Sequence, residues 1–151
     1  MMNENLTVYF DASCALCKRE MAVIRLHDVM LRLAWVDCSA TDFDDAPFRV
    51  AGVTRAAMMA SLHLQDAAGA WITGVDAFAL LHRTVGMTGI ARLWGGKLTR
   101  PVMLRLYPLV ARHRQLLSWT GLPLVFVVWE KCAAWQAQRR SRACRAGACS
   151  L

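Results

Sequence analysis

Two cysteines three positions apart carry the clearest chemical signal in this sequence. Cys14 and Cys17 stand in the stretch YFDASCALCKRE, directly behind a short apolar run. The thiolate is the reactive form of cysteine, and a free cysteine titrates near ~8.5, so an ordinary thiol is mostly protonated at neutral pH. Three-residue spacing on a helix brings two sulfurs close enough to form a disulfide. The pair could therefore be a redox centre or half of a metal site.

The position of the pair favours a redox centre. Residues 6–10, LTVYF, predict a short buried strand, and the periodicity of CALCKREMAVIRLHD predicts a helix after it. The polar segment 11–13 supplies N-cap chemistry, which places Cys14 at the N-terminus of that helix. Backbone N–H groups and the helix dipole favour an anion there, and Lys18 and Arg19 add positive charge in the next turn.

We assign the chemistry of thiol-disulfide exchange to three residues, Cys14, Cys17 and Asp11. Cys14, expected nearer the helix end and the solvent, attacks a substrate disulfide, and Cys17, one turn deeper, resolves the mixed disulfide. Asp11, at the end of the strand, is either a proton acceptor for Cys17 or a cap residue, and the sequence favours neither interpretation.

A structural zinc site is the alternative use of the pair. Such a site needs four ligands, usually from a second CxxC or from paired histidines. The four histidines are scattered singly at His27, His63, His82 and His113. We therefore expect no metal and no organic cofactor, and a zinc- or copper-handling protein that uses the CxxC is the first rival function.

The remaining cysteines have plainer interpretations. Cys38, at the end of a predicted strand, is expected to behave as a small buried apolar side chain, with a third redox thiol as the alternative. Cys144 and Cys149 lie in a basic tail, RACRAGACSL, as exposed thiols without a role or as a tail disulfide or relay.

The remaining elements predict an α/β sandwich. A second strand is expected at 31–36, a short helix at 54–60, and a hairpin formed by SLHLQD and AWIT. A helix follows over residues 75–85, with Asp76 expected as its cap. The order of strand, helix, strand, helix, hairpin and helix fits a sandwich with a parallel β-α-β start.

Beyond residue 90 the sequence becomes helical and basic. Pro101 suits a first helical turn, Pro108 is expected to kink or break the helix, and Gly121-Leu-Pro123 to end it. We expect three regions: a redox core over 1–88, a basic helical extension packed on it over 89–138, and a mobile Cys/Arg-containing tail over 139–151.

The net charge of +7 is unevenly distributed. Residues 1–82 hold 6 Lys/Arg against 10 Asp/Glu, whereas residues 83–151 hold 12 Lys/Arg against one Glu. The basic half is either a solvated face or a contact for an anionic membrane surface. Nucleic acid is not expected, because no binding motif accompanies the charge. A membrane-associated interaction module with a vestigial redox pair is the second rival function.

No secretory signal is recognisable at the N-terminus, so the expected location is the cytoplasm, with peripheral membrane attachment as a variant. The uninterrupted apolar run at 122–129 is far shorter than the roughly 20 residues that a transmembrane helix needs.

Taken together, these motifs resemble the DCC family of thiol-disulfide oxidoreductases, thioredoxin-like proteins named for an Asp-Cys-Cys signature. In VYFDASCALCKRE, Asp11, Cys14 and Cys17 fall on the three signature positions. The resemblance continues in order through LAWVD, SLHLQDAAGAWITGVDAFALL and YPLVARHR, and covers roughly residues 6–118.

The resemblance implies a thioredoxin-like sandwich with a mixed four-stranded sheet and a helical C-terminal extension. It also implies exchange with a disulfide-containing protein or a small thiol. The sequence departs from the family pattern at three places: Ala12 replaces a glycine, Cys38 replaces an aliphatic residue, and no proline precedes SLHLQD.

Overall fold

Strand β1 (Leu6–Phe10) lies inside a four-stranded mixed sheet. The computed structural model describes residues 5–119 together with Lys131, Trp135 and Arg139. Strand β2 (Leu33–Asp37) pairs with β1 in parallel, β3 (His63–Gln65) pairs with its other edge in antiparallel fashion, and β4 (Trp71–Thr73) pairs with β3. The strand order β2-β1-β3-β4 confirms the predicted parallel start and the predicted hairpin.

Five α-helices accompany the sheet in the described residues. Helix α1 joins the two parallel strands, and a short 3-10 helix, Ala46–Ala51, precedes α2. The helices are α1 (Ala15–His27), α2 (Arg55–Ala60), α3 (Gly74–Thr84), α4 (Thr88–Gly95) and α5 (Arg100–Trp119).

The period-two alternation of β1 divides the core between the two faces of the sheet. Leu6, Val8 and Phe10 pack on one face with apolar residues of α1 and α3. Tyr9 points to the other face, where it packs with Met58 of α2. Helices therefore cover both faces, and the predicted α/β sandwich with a mixed four-stranded sheet is confirmed.

The last described helix, α5, lies against α1, α3 and α4. It runs through Pro108 without a break, because the neighbouring packing outweighs the missing N–H of that proline. Asp76 does not cap α3 as expected: both its oxygens accept hydrogen bonds from Arg100, at 2.9 and 2.8 Å, and so join α3 to the start of α5.

Some expectations about the C-terminal half are left untested. The helix end at Gly121-Leu-Pro123 and the tail over 139–151, apart from Arg139, lie outside the described residues. The division of the chain near residue 88 stays a prediction. In the described part of the chain, no helix combines the length and the apolar character needed to cross a bilayer.

Burial of His82 predicts an acid-sensitive core. Its Nδ1 lies 2.8 Å from the Phe78 carbonyl oxygen, and its Nε2 has no hydrogen-bond partner among the described residues. Burial, followed by the nearby His27, lowers the pKa of His82 below its ordinary value of 6.5. Because the unfolded chain then takes up the proton first, the free energy of unfolding falls as pH drops below about 6.5.

We expect His82→Leu to gain stability relative to the unsubstituted protein as pH falls, by up to about 1.4 kcal/mol per pH unit below ~6.5. Urea unfolding at about pH 7.5 and about pH 5.5 measures this difference. His113→Leu is the matched control, because His113 is exposed. A pH dependence equal to that of the unsubstituted protein in His82→Leu would contradict the assignment.

Candidate active site

The sulfur of Cys14 caps helix α1. Cys14 has an extended backbone, and its Sγ accepts a hydrogen bond from the Cys17 backbone N–H at 3.4 Å. The N-cap is thus Cys14 itself, one position beyond the segment 11–13 expected for this role. The first N–H groups of a helix lack intrahelical partners, so this sulfur lies where an anion is stabilised.

The two thiols of the pair differ strongly in acidity. The hydrogen bond from the Cys17 thiol is the main cause that lowers the pKa of Cys14 to about 6, with the Cys17 backbone N–H and the charge of Arg114 contributing. The same hydrogen bond, together with burial, raises the pKa of Cys17 far above its ordinary value. At neutral pH Cys14 is therefore a thiolate and Cys17 holds the proton, as a nucleophile and a resolving thiol require.

The two cysteine residues also differ in exposure to solvent. Cys14 is only 2% exposed, whereas Cys17 is partly exposed. The expectation that Cys14 lies nearer to the solvent is therefore wrong. The residues on either side of it, Ser13 and Ala15, are exposed, so the first turn of α1 lies at the protein surface.

A cation from the distant helix α5 completes the site. Arg114 Nη2 lies 2.8 Å from Asp11 Oδ2 and also donates to the Met59 carbonyl oxygen. Its Nη1 lies 3.7 Å from the sulfur of Cys17. The charge that lowers the pKa of Cys14 thus comes from Arg114 rather than from Lys18, which is exposed.

Asp11 is buried directly behind β1 and is fully engaged by other groups. Its Oδ1 accepts hydrogen bonds from the backbone N–H of Ser13, at 2.9 Å, and from the Ser13 hydroxyl, while its Oδ2 binds Arg114. Within the described residues, no hydrogen bond joins Asp11 to Cys17. Asp11 therefore shapes the turn before the helix and holds Arg114, and its part in proton transfer stays a prediction.

A small cavity of about 70 Å³ opens beside Cys17. Its polar lining includes Glu20, Tyr107 and Arg114, and its apolar lining includes side chains of the core. The Tyr107 hydroxyl accepts a hydrogen bond from the Leu62 backbone N–H at 3.0 Å, and burial raises its pKa to about 12. Burial, with the charge of Cys14, raises the pKa of Glu20 to about 7.

Sequence reasoning missed Glu20, and it interpreted Tyr107 and Arg114 only as residues that dock their helix on the core or contact an anion. The signal that could have found the last two is the motif YPLVARHR, where they stand seven positions apart and so share one face of a helix. Arg112 of the same motif is exposed. No pattern within the sequence marks Glu20, because its surroundings come from α5 as well as from its own helix.

Two of the departures in sequence prove harmless to the site. Ala12 needs no left-handed backbone, since Leu31 is the only non-glycine residue with positive φ in the described part. Its N–H donates to Asp37 Oδ1 at 3.1 Å, which joins the loops that follow the parallel strands.

Cys38 is fully buried with its Sγ 3.6 Å from the Met58 sulfur, and burial is the main cause that raises its pKa to about 12.

The buried, weakly acidic thiol of Cys38 confirms its apolar interpretation. Cys144 and Cys149 lie outside the described residues. Within the described ranges, no three or more His, Cys, Asp or Glu side chains are grouped so that they could hold a metal ion, and no peptide bond is cis.

Comparison with known proteins agrees with this geometry. A family model described as DCC1-like thiol-disulfide oxidoreductase matches residues 8–120, a stretch that includes the CxxC pair and all of α5. The mixed sheet with its flanking helices is consistent with the thioredoxin-like fold of that family. No curated protein and no solved structure matches the chain.

The charge of Arg114 predicts a measurable shift in the acidity of Cys14. We expect Arg114→Met to raise the pKa of Cys14 by about half a unit to one unit, because a nearby cation favours the thiolate. The ultraviolet absorbance of the thiolate, followed against pH in reduced protein, measures this value without requiring access to the buried sulfur. In the unsubstituted protein the signal should be lost as pH falls through about 6.

Arg112→Met is the matched control, because Arg112 is exposed on the same helix. Cys14→Ser should abolish the low-pH step, and Arg114→Lys should retain part of the shift. An unchanged titration in folded Arg114→Met would show that Arg114 does not tune the thiol.

Proposed function

Because the chain belongs to the DCC1-like thiol-disulfide oxidoreductase family, we propose that it exchanges a dithiol and a disulfide through Cys14 and Cys17. The partner is a disulfide-containing protein or a small thiol. The observation that carries the proposal is the N-cap position of the Cys14 sulfur, which favours a thiolate beside a second thiol that keeps its proton. Neither a metal nor an organic cofactor takes part.

The reaction proceeds in two exchanges. The Cys14 thiolate attacks one sulfur of the substrate disulfide, the substrate S–S bond breaks, and one substrate thiolate leaves and takes up a proton from water. The Cys17 sulfur then attacks Cys14, forming the Cys14–Cys17 bond and releasing the second substrate thiol. The protein dithiol loses two electrons, and the substrate disulfide gains them. Substrate oxidation is the same sequence in reverse.

Burial of the Cys14 sulfur limits which substrates can react. The exposed neighbours Ser13 and Ala15 place this sulfur directly beneath the surface at the helix end. We therefore expect an extended segment carrying the disulfide to approach along the helix end, since a bulky folded surface could not reach the sulfur.

Trapping the mixed disulfide tests the proposal. Cys17→Ser should hold its partner on Cys14 as a covalent adduct, because the resolving thiol is missing. Non-reducing electrophoresis followed by mass spectrometry of the adduct identifies both the partner and the cysteine. Cys14→Ser, with Cys17 present, is the matched control and should trap far less.

Two results would overturn the proposal. One is failure of the oxidised protein to form a Cys14–Cys17 disulfide with a defined reduction potential. The other is stoichiometric zinc or copper in the reduced protein that is lost in Cys14→Ser, which would favour the metal-handling alternative.

A second proposal concerns location. Helix α5 exposes several large apolar side chains beside Arg105 and Arg112, a combination suited to the interface of an anionic membrane. The apolar side chains are Val102, Leu104, Leu106, Leu109, Val110 and Leu116. We infer that the basic half docks there, without crossing the bilayer, and that the redox site remains in water.

Sedimentation with vesicles tests this location. The protein should bind vesicles that contain phosphatidylserine, and Arg105→Gln with Arg112→Gln should weaken binding by about tenfold or more, at about 1 kcal/mol for each arginine. Purely zwitterionic vesicles are the control and should bind weakly. The proposed membrane location is wrong if the unsubstituted protein does not bind anionic vesicles at low salt.

A further inference from the structure

Two carboxyl groups lie near the resolving thiol, and they have different hydrogen-bond partners. Asp11 accepts hydrogen bonds from Arg114 at 2.8 Å and from the N–H and hydroxyl of Ser13. Accepting a proton would weaken the ion pair, which is almost completely buried on the Asp11 side. Both oxygens of Asp11 therefore already hold donors, and within the described residues neither is a hydrogen-bond partner of Cys17.

Glu20 has the opposite surroundings. It follows Cys17 by three positions on α1, so the two side chains lie on one face of the helix, and both line the same cavity. Within the described part of the chain, no hydrogen bond or ion pair engages the Glu20 carboxyl. The other titratable or charged groups that line the cavity are Asp11, Tyr107 and Arg114.

Resting on the exchange reaction proposed above, we propose that Glu20 accepts the proton of the Cys17 thiol when Cys17 resolves the mixed disulfide. The cavity between them is large enough for a water molecule, which can carry the proton where the two groups do not touch. Glu20 is thereby a catalytic residue, while Asp11 positions Arg114.

The proton balance of the step is complete. The Cys17 S–H bond breaks and its proton passes to the Glu20 carboxylate. The Cys17 thiolate attacks the Cys14 sulfur, the Cys14–Cys17 bond forms, and the bond from Cys14 to the substrate sulfur breaks. The substrate leaves as a thiolate and takes the proton from Glu20, which returns to its carboxylate form.

The charge of Cys14 controls when the proton can pass from Cys17 to Glu20. Burial is the main cause that raises the pKa of Glu20 to about 7, and the negative charge of Cys14 adds to it. Formation of the mixed disulfide removes that charge, so the pKa of Glu20 falls and more of the carboxylate is present. The hydrogen bond by which the Cys14 thiolate holds the Cys17 proton disappears in the same step. Formation of the mixed disulfide therefore makes the Cys17 thiol more acidic and, at the same time, increases the fraction of Glu20 that can accept its proton.

Single-turnover reduction of a chromogenic aromatic disulfide separates the two exchanges. The first chromophore leaves when Cys14 attacks, and the second leaves when Cys17 resolves the adduct. We expect Glu20→Gln, which keeps the shape of the side chain, to lower the ratio of the second rate to the first by about tenfold or more at neutral pH. In Glu20→Gln, the rate of the second exchange should also lose the part of its pH dependence that comes from titration of Glu20. Glu20→Asp should restore part of that pH dependence.

Asp11→Asn is the comparison variant. It should loosen Arg114 and alter the titration of Cys14, yet keep the pH dependence that Glu20→Gln abolishes. If Asp11→Asn abolishes it and Glu20→Gln does not, Asp11 is the acceptor and the inference is wrong. Equal rate ratios in Glu20→Gln and the unsubstituted protein would also refute it. Absence of the first phase in the unsubstituted protein would instead refute the exchange reaction itself.

Discussion

The buried ion pair between Arg114 and Asp11 joins parts of the chain that lie 103 residues apart and holds the site together. Asp11 ends the central strand, whereas Arg114 comes from the last described helix. Removing Arg114 would leave the buried Asp11 carboxylate with only the two donors of Ser13, at a cost of up to about 3–5 kcal/mol. The electrostatics of the thiols therefore depend on this contact, which also adds to the Asp76–Arg100 ion pair and the Tyr107 hydrogen bond in holding α5 on the core.

That contact also explains how a weakly polar site can hold a thiolate. Arg114 touches the sulfur of Cys17 and lowers the pKa of Cys14, while the first turn of α1 supplies an N–H to the same anion. The positive groups are fixed in place by Asp11 and by the backbone carbonyl of Met59. Because they are oriented before any substrate arrives, little reorganisation is needed when charge moves between the sulfurs.

Asp11 and Glu20 are similar carboxyl groups that have different surroundings and therefore different roles. Asp11 accepts hydrogen bonds from a cation and from two donors of Ser13, so it holds Arg114 and the turn before α1 in place. Glu20 lines a small cavity beside the Cys17 thiol and lies near the negative Cys14 sulfur. Its pKa is therefore raised to about 7, so its protonated and ionised forms are both present near neutral pH. Asp11 and Glu20 carry the same chemical group, and their roles differ because different groups surround them.

Local patterns in the sequence determined the strand at 6–10, the helix after it, the hairpin and the position of Cys14 at a helix N-terminus. Such features depend on neighbours within a few residues, because hydrophobic periodicity and turn chemistry are local. Even there, the cap was misplaced by one residue, since Cys14 itself takes that role.

Only the tertiary structure decided which cation meets the thiols, how deeply Cys14 lies, and which partners each nearby carboxyl group has. Lys18, adjacent in sequence, is exposed, whereas Arg114 reaches the site from the far end of the described chain. Charge and burial act through distance in space, and the packing of α5 sets those distances. The sequence determined that two thiols would share a helix end, and the fold decided which of them keeps its proton.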